Sequence, residues 1–268
     1  MSTNKFNESK RIPSHALTPG RLSCLGPQGR SAADRGRIVL LSGLLIPVGW
    51  AIPAAAQDCF AWDHVANGIP NGRYAAAMAY DEARGQAVLF GGTDGGGMGS
   101  TWEWDGVYWL QRSSSGPSPR WSHAMVYDSG SSVTVLFGGW DRVVLGDTWE
   151  WNGVDWAQRV APGPSPRRDH AMAYDRGRGV TVLFGGWDGS NSGDTWEWDG
   201  NAWALQATTG PNPRRDHAMA YDDARGVTVL FGGWDGSYAG DTWEWDGSTW
   251  ALRATTGPSP RYGHAMTF

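Results

Sequence analysis

Apolar and polar positions repeat along this chain with a period of 47 residues. A histidine recurs at this spacing, at positions 123, 170, 217 and 264, with no residue inserted between the copies. It is also kept by Thr-Trp-Glu-Trp tetrads that begin at Thr101, Thr148, Thr195 and Thr242. A fixed period of this length is the signature of a repeat protein, and it takes precedence over any local signal.

The pattern inside the last complete unit predicts four short strands. Apolar runs occupy residues 217–221, 227–231, 242–245 and 250–254, and turn residues separate them. The Asp246-Gly247 step favours a tight hairpin, because glycine accepts the positive φ that such turns need. Four strands in 47 residues correspond to one blade of a β-propeller.

The unit resembles a kelch repeat. A glycine pair, Gly232-Gly233, closes the second strand, an aromatic–aspartate step follows at Trp245-Asp246, and a spaced tryptophan follows at Trp250. The resemblance covers about residues 62–268 and implies an all-β, kelch-like β-propeller. One departure is that Trp245 and its equivalents stand where kelch units usually carry tyrosine. The WD40 family is a weaker match, because the opening Gly-His appears only at Gly263-His264.

The period divides the chain into four full blades and two partial ones. The full blades are residues 73–119, 120–166, 167–213 and 214–260. Residues 57–72 are predicted to hold the last strand of a preceding blade, with Trp62 equivalent to Trp109, and residues 261–268 the first strand of a following blade.

Propellers normally close by joining their ends, which leaves no open sheet edge. The partial blades therefore indicate a truncated piece of a longer propeller. A strained ring of four or five blades, or two chains that complete each other, are the alternatives. An open ring predicts self-association through the exposed blade edges.

Residues 1–56 lie outside the repeat and predict a signal peptide with a long basic leader. Seven lysine and arginine residues oppose two acidic ones there, and an apolar run at 38–52 is followed by small residues that end at Ala56. We therefore expect a secreted, periplasmic or cell-surface protein without a membrane span after cleavage. An uncleaved membrane anchor is the alternative.

The remaining residues, 57–268, are acidic. They contain 15 arginines, no lysine and 25 acidic residues, which gives a formal net charge of −10. This charge disfavours nucleic acids and anionic membrane surfaces as partners. Cys59 is the single cysteine in this part, so no disulfide within it is expected.

Strand parity predicts one candidate binding face. In a blade of alternating strands, the loop between the second and third strands lies on the same side as the link to the next blade. That side collects residue types that dominate binding hot spots, namely Arg120, Trp140, Arg167, Arg168, Trp187, Arg214, Arg215, Trp234 and Arg261. The alternative is structural: each tryptophan packs over a neighbouring blade and each arginine pairs with a local aspartate.

Neither a metal nor another cofactor is predicted. The repeated histidines stand at the start of the innermost strands and are interpreted as structural, since Ala76 replaces the histidine in the first unit. The loop that begins at Asp188 matches the spacing of a calcium loop only superficially, because Ala239 and Val143 interrupt the sister loops.

The resemblance also bears on catalysis. Kelch-like folds occur in copper radical oxidases similar to galactose oxidase and in sialic-acid epimerases, and the oxidases need a cross-linked Tyr–Cys pair. Here Cys59 lies outside the repeats. The sequence therefore predicts an exported, non-catalytic binding or scaffold protein that recognises a protein or glycan through the Trp/Arg face. The alternative is a secreted carbohydrate-active enzyme of the oxidase-like or epimerase-like type, or a fragment of one.

Overall fold

The computed structural model describes residues 68–113 and 115–268, which form sixteen strands and no helix. Blade 1 contains β1 (Ala77–Asp81), β2 (Gln86–Phe90), β3 (Thr101–Trp104) and β4 (Trp109–Ser113). Blade 2 contains β5 (Ala124–Asp128), β6 (Val133–Asp141), β7 (Val143–Trp151) and β8 (Trp156–Arg159). Blade 3 contains β9 (Ala171–Asp175), β10 (Val180–Phe184), β11 (Thr195–Trp198) and β12 (Trp203–Ala207). Blade 4 contains β13 (Ala218–Asp222), β14 (Val227–Phe231), β15 (Thr242–Trp245) and β16 (Trp250–Ala254).

Each blade is an antiparallel sheet whose strands pair in chain order, so the predicted kelch-like all-β architecture is confirmed. The predicted leader at 1–56, Cys59 and the Trp62 strand lie outside the described residues. Within the described part of the chain, no helix is long and apolar enough to cross a membrane.

Blade 2 departs from the repeat in its β6–β7 connection. Both strands are nine residues long, and their ladder continues to the pair Asp141↔Val143 across a tight turn at Arg142, whose φ is +60°. In blade 3 the corresponding loop instead closes on itself through a bridge between Trp187 and Asn191. The β-branched Val143 and Val144 favour extended backbone, and the sequence-based division into equal units did not predict this hairpin.

The core lies between blades and consists of aromatic side chains contributed by neighbouring units. Phe137 on β6 contacts the Trp203 ring edge-on, with centroids 5.2 Å apart, and Trp203 packs against Trp198 of its own blade at 5.5 Å. The Trp198 indole is almost fully buried and donates to Glu150 Oε1 of blade 2 at 3.2 Å. The same arrangement joins blade 1 to blade 2 and blade 3 to blade 4.

The four blades do not close into a ring. On β1 the side chains of Met78 and Tyr80 are 58% and 61% exposed, whereas the equivalent Met125 and Tyr127 on β5 are each 8% exposed. The difference arises because blade 1 covers β5, while no described blade covers β1. This exposed surface is called the front face of blade 1 below.

We expect the inter-blade tryptophans to dominate stability. Replacing Trp198 by alanine removes a buried indole and leaves Glu150 without its indole donor, so the free energy of unfolding should fall by about 3–5 kcal/mol. The matched control is Trp104→Ala, at the same blade position on the open front face, which should cost about 1–2 kcal/mol. Chemical denaturation measures both values, and equal losses would contradict this account of the core.

Candidate binding face around the central channel

The β2–β3 type loops and the links between blades meet on one side of the molecule. Isolated backbone bridges join the two sets of segments, and they pair Tyr74 with Thr93, Trp121 with Trp140, Arg168 with Trp187 and Arg215 with Trp234. The bridges therefore bring the β2–β3 type loops and the links between blades to one side, which is the side that strand parity indicates. We refer to this surface as the loop face.

Arg168 is held between two indoles on the loop face. Its guanidinium carbon lies 4.8 Å from the centroid of the Trp187 ring and 5.7 Å from that of Trp140. Its Nη1 also donates to Asp169 Oδ2 at 2.6 Å. Cations over indole faces are attracted by the ring quadrupole, so Arg168 links an indole of blade 2 to an indole of blade 3.

A second aromatic group continues the surface over blade 4. Trp234 contacts Tyr238 edge-on at 5.2 Å, and Tyr238 stacks on Tyr262 at 5.3 Å with an interplanar angle of 17°. Tyr238 and Tyr262 are each more than half exposed. Arg215 lies beside this group and donates from Nη1 to Asn191 Oδ1 at 3.0 Å.

Several members of the loop face were not predicted from the sequence. Tyr74, Trp121 and Tyr262 occupy the same position in the 47-residue repeat as Arg168 and Arg215. An alignment of the repeats would have found them. In successive units this position is Tyr, Trp, Arg, Arg and Tyr, so it varies but is always aromatic or cationic. Tyr238 is the equivalent of Asn191 and carries no comparable signal.

Three predicted binding residues are instead buried. Arg120, Arg167 and Arg214 are at most 1% exposed, so their proposed contact with a ligand is corrected to a structural role. Arg167 donates to both carboxylate oxygens of Asp194, at 2.7 and 2.9 Å, and to the Gly185 carbonyl at 3.0 Å. The alternative interpretation, an arginine paired with a local aspartate, describes these three side chains. Arg261, the fourth of the series, is exposed.

Each of these buried arginines forms an ion pair with an aspartate. Burial by itself raises the pKa of Asp194, but the hydrogen bonds and the charge of Arg167 outweigh it, so the pKa lies below its ordinary value. A bidentate geometry of this kind satisfies the fork of the guanidinium. Arg167 therefore fixes the link to the β10–β11 loop and holds the loop face in place.

A cavity of about 390 Å³ lies where the segments that lead into the first strands of the blades meet. Four of its lining residues have positive φ values of 54° to 57°, namely Ala75, Ser122, Asp169 and Asp216. Each backbone N–H from Ser122 onward donates to the carbonyl of the previous member, at 2.8 to 2.9 Å, and Gly263 continues the series to Asp216. This chain of bonds links successive blades around the axis.

The cavity also contains the repeated histidines. His123, His170 and His217 are buried, and the ring of each contacts a phenylalanine of the preceding blade edge-on. Burial and the nearby Arg120 lower the pKa of His123 to about 3, so the ring is neutral. Among the described residues, no group of three or more His, Cys, Asp and Glu is arranged to hold a metal ion.

Comparison with known proteins identifies the same repeat. The model of the KLHDC2/KLHL20/DRC7 Kelch-repeats domain matches residues 100–268, more than half of the chain. The chain belongs to the Kelch-repeat family. Among solved structures, this Kelch-repeat chain is similar to the one titled "Structure of YjhT", with a TM-score of 0.59, 13% identity, and coverage of 72% of this chain and 68% of that one. At this identity the likeness concerns the fold alone. A search of curated proteins finds no match.

We expect Asp194→Ala to destabilise the protein strongly, because it leaves the Arg167 charge buried and unpaired. The loss should be about 3–5 kcal/mol, whereas Asp188→Ala, an exposed aspartate in the same loop, should stay within about 0.5 kcal/mol. Because the folded-state pKa of Asp194 is lowered, its contribution is present above the unfolded pKa of about 4 and is lost as the pH falls. Denaturation at pH 7 and pH 3 measures both effects, and equal losses in the two variants would exclude a structural role for the pair.

Asp216, which lines the cavity, gives a second titration test. Burial and the neighbouring Asp169 charge raise the pKa of Asp216 to about 6, and the charges of Arg215 and Arg168 oppose this rise. Carboxylate ¹³C chemical shifts should therefore titrate with a midpoint near 6, lower in Asp169→Asn and higher in Arg215→Ala. Since the folded pKa is raised, this group should reduce stability as the pH rises from about 4 to 6. A midpoint below 4 would contradict the described arrangement of the two carboxylates.

Proposed function

We propose that this Kelch-repeat protein is a non-catalytic binding or scaffold protein that recognises a polypeptide segment through the loop face. The observation that carries the proposal is the contact of Arg168 with both Trp140 and Trp187, together with the aromatic group Trp234, Tyr238 and Tyr262 on the same face. Tryptophan, tyrosine and arginine are the residue types that carry most binding energy in protein interfaces. The Kelch-repeat fold supports a binding role in general.

The loop face is already organised before any ligand arrives. Arg168 is fixed by two indoles and by Asp169, and Arg215 by Asn191, so these side chains lose little conformational freedom on binding. Preorganisation of this kind reduces the cost of association. The exposed rings of Tyr238 and Tyr262 offer an apolar anchor site, and the guanidinium groups offer donors beside it.

A protein ligand fits the geometry better than a glycan. Sugar rings stack on free indole faces, but the guanidinium of Arg168 lies over the rings of Trp140 and Trp187. The exposed tyrosines and the remaining N–H groups suit peptide backbone and side chains instead. The glycan ligand and the carbohydrate-active enzyme stay as alternatives, which the experiment below includes.

Export is part of the same proposal. The basic and apolar leader at 1–56 supports it. N-terminal sequencing of the exported protein should show a start close to Gln57, and a retained leader would favour the membrane anchor.

The test is selection of ligands by the full chain from a random peptide library, with a glycan array and a copper-loaded galactose oxidation assay in parallel. We expect peptides to be selected, and their affinity to fall at least tenfold in Trp187→Ala and in Tyr238→Ala. Val154→Ala, an exposed residue in the β7–β8 turn on the opposite side of the blades, is the matched control and should not change affinity.

Two results would overturn the proposal. One is the selection of glycans alone, or turnover in the oxidation assay, which would support the enzyme or glycan alternative. The other is peptide binding that Trp187→Ala and Tyr238→Ala leave unchanged, which would place the ligand on another surface.

A further inference from the structure

The turn between β5 and β6 in blade 2 lacks an arginine that the other described blades carry. The residue in blade 2 is Ser131, and its equivalents in blades 1, 3 and 4 are Arg84, Arg178 and Arg225. The turn keeps the same backbone, since Ser132 has a φ of +57° where the equivalent Gly179 has +69°. Blade 2 therefore differs at this place in a side chain and not in the path of the chain.

In the other blades this arginine bridges two carboxylates. In blade 3, Arg178 Nε lies 2.7 Å from Asp175 Oδ2, and its Nη1 lies 2.7 Å from Glu197 Oε1. The equivalent arginines of blades 1 and 4 make the same two contacts. A guanidinium is planar and carries several N–H donors in a fixed arrangement, so one group serves both acceptors.

Blade 2 retains both carboxylates without the arginine between them. Asp128 and Glu150 are each 5% exposed. Arg159 contacts Glu150 through Oε2, and among the described residues Oε1 accepts a bond from the Trp198 indole alone, at 3.2 Å. No described arginine is bonded to Asp128. Buried carboxylates are costly unless cations or hydrogen bonds match them, so this pair favours a cation.

The space for a guanidinium is also present in blade 2. Where blade 1 meets blade 2, the guanidinium lies against a turn glycine of the following blade, and a Cβ added at Gly153 would stand 2.7 Å from Arg84. The junction of blades 3 and 4 has the same contact. At the equivalent Gly200 of blade 3, the nearest atom to an added Cβ is Ser131 Oγ at 3.9 Å. No described side chain occupies this place.

The place is open to solvent. The side chains of Arg84 and Arg178, which fill the equivalent places, are 29% and 32% exposed, and Ser131 is exposed. The turns between β5 and β6 and between β11 and β12 border it, so it lies on the side of the blades opposite the loop face. A ligand can therefore reach it independently of the loop face.

We propose that blade 2 binds the guanidinium group of a ligand between Asp128 and Glu150. The group donates to Asp128 Oδ2 and Glu150 Oε1 and lies against Gly200, as Arg178 does with its own two carboxylates. Hydrogen bonds between an ionised donor and an ionised acceptor are the strong ones. An ammonium group fits less well, because it lacks the planar fork. The guanidinium comes from a free small molecule or from an arginine side chain of a polypeptide.

The experiment is isothermal titration calorimetry of the full chain. Agmatine represents a free guanidinium compound, and the blocked tripeptide Gly-Arg-Gly represents an arginine side chain. Cadaverine and blocked Gly-Lys-Gly are the matched ammonium controls. We expect one guanidinium probe to bind per chain, at least tenfold more tightly than its ammonium control. The tighter of the two guanidinium probes identifies the source of the group.

Substitutions at the turn make the test specific. Ser131→Arg supplies the guanidinium from the chain itself, so it should weaken probe binding at least tenfold and raise the denaturation midpoint. Ser131→Ala is the matched control and should bind like the unmodified chain. Arg178→Ser opens the equivalent place between blades 3 and 4, so this variant should bind a second probe molecule.

Four results would overturn the proposal. They are no binding of either guanidinium probe, equal binding of the ammonium controls, binding that Ser131→Arg leaves unchanged, and a Ser131→Arg protein less stable than the unmodified chain. Trp187→Ala on the loop face should leave agmatine and tripeptide binding unchanged. Loss of binding in that variant would place the probe on the loop face and would also contradict the site in blade 2.

Discussion

The structure depends on the hydrogen bond between a buried indole and the tetrad glutamate of the preceding blade. A carboxylate such as Glu103 is buried in the sheet and tolerates burial because Trp151, Arg84 and Arg112 all contact it. Removing any donor leaves charge in a low-dielectric environment, where an unmatched group is costly. The bond thus couples two blades, and the aromatic packing around it completes the junction.

This coupling explains why the unit does not stand alone. One blade buries its apolar faces only between two neighbours, so each internal blade is stabilised by both junctions. Among the residues that the structure describes, no blade covers the outer side of blade 1, where Met78 and Tyr80 are exposed. The buried ion pairs, such as Arg167 with Asp194, stabilise the links between blades and the loops, and they do not join one sheet to the next.

The division of roles among the arginines follows from the same constraint. Arg120, Arg167 and Arg214 are each enclosed by their own loop and by an aspartate 27 residues later, so they have no freedom to contact a ligand. The next position lies outside this enclosure, where Arg168 meets indoles of blades 2 and 3. A repeat position under structural constraint keeps one residue type, whereas the neighbouring position carries Tyr, Trp or Arg.

The sequence by itself determined the blade and its boundaries, because turn glycines, strand periodicity and a 47-residue spacing are local properties. It also determined which loops share a face, since strand parity requires no knowledge of packing. Only the tertiary structure decided which charged residues are buried, since Arg167 and Arg168 are adjacent in sequence and differ only in what surrounds them.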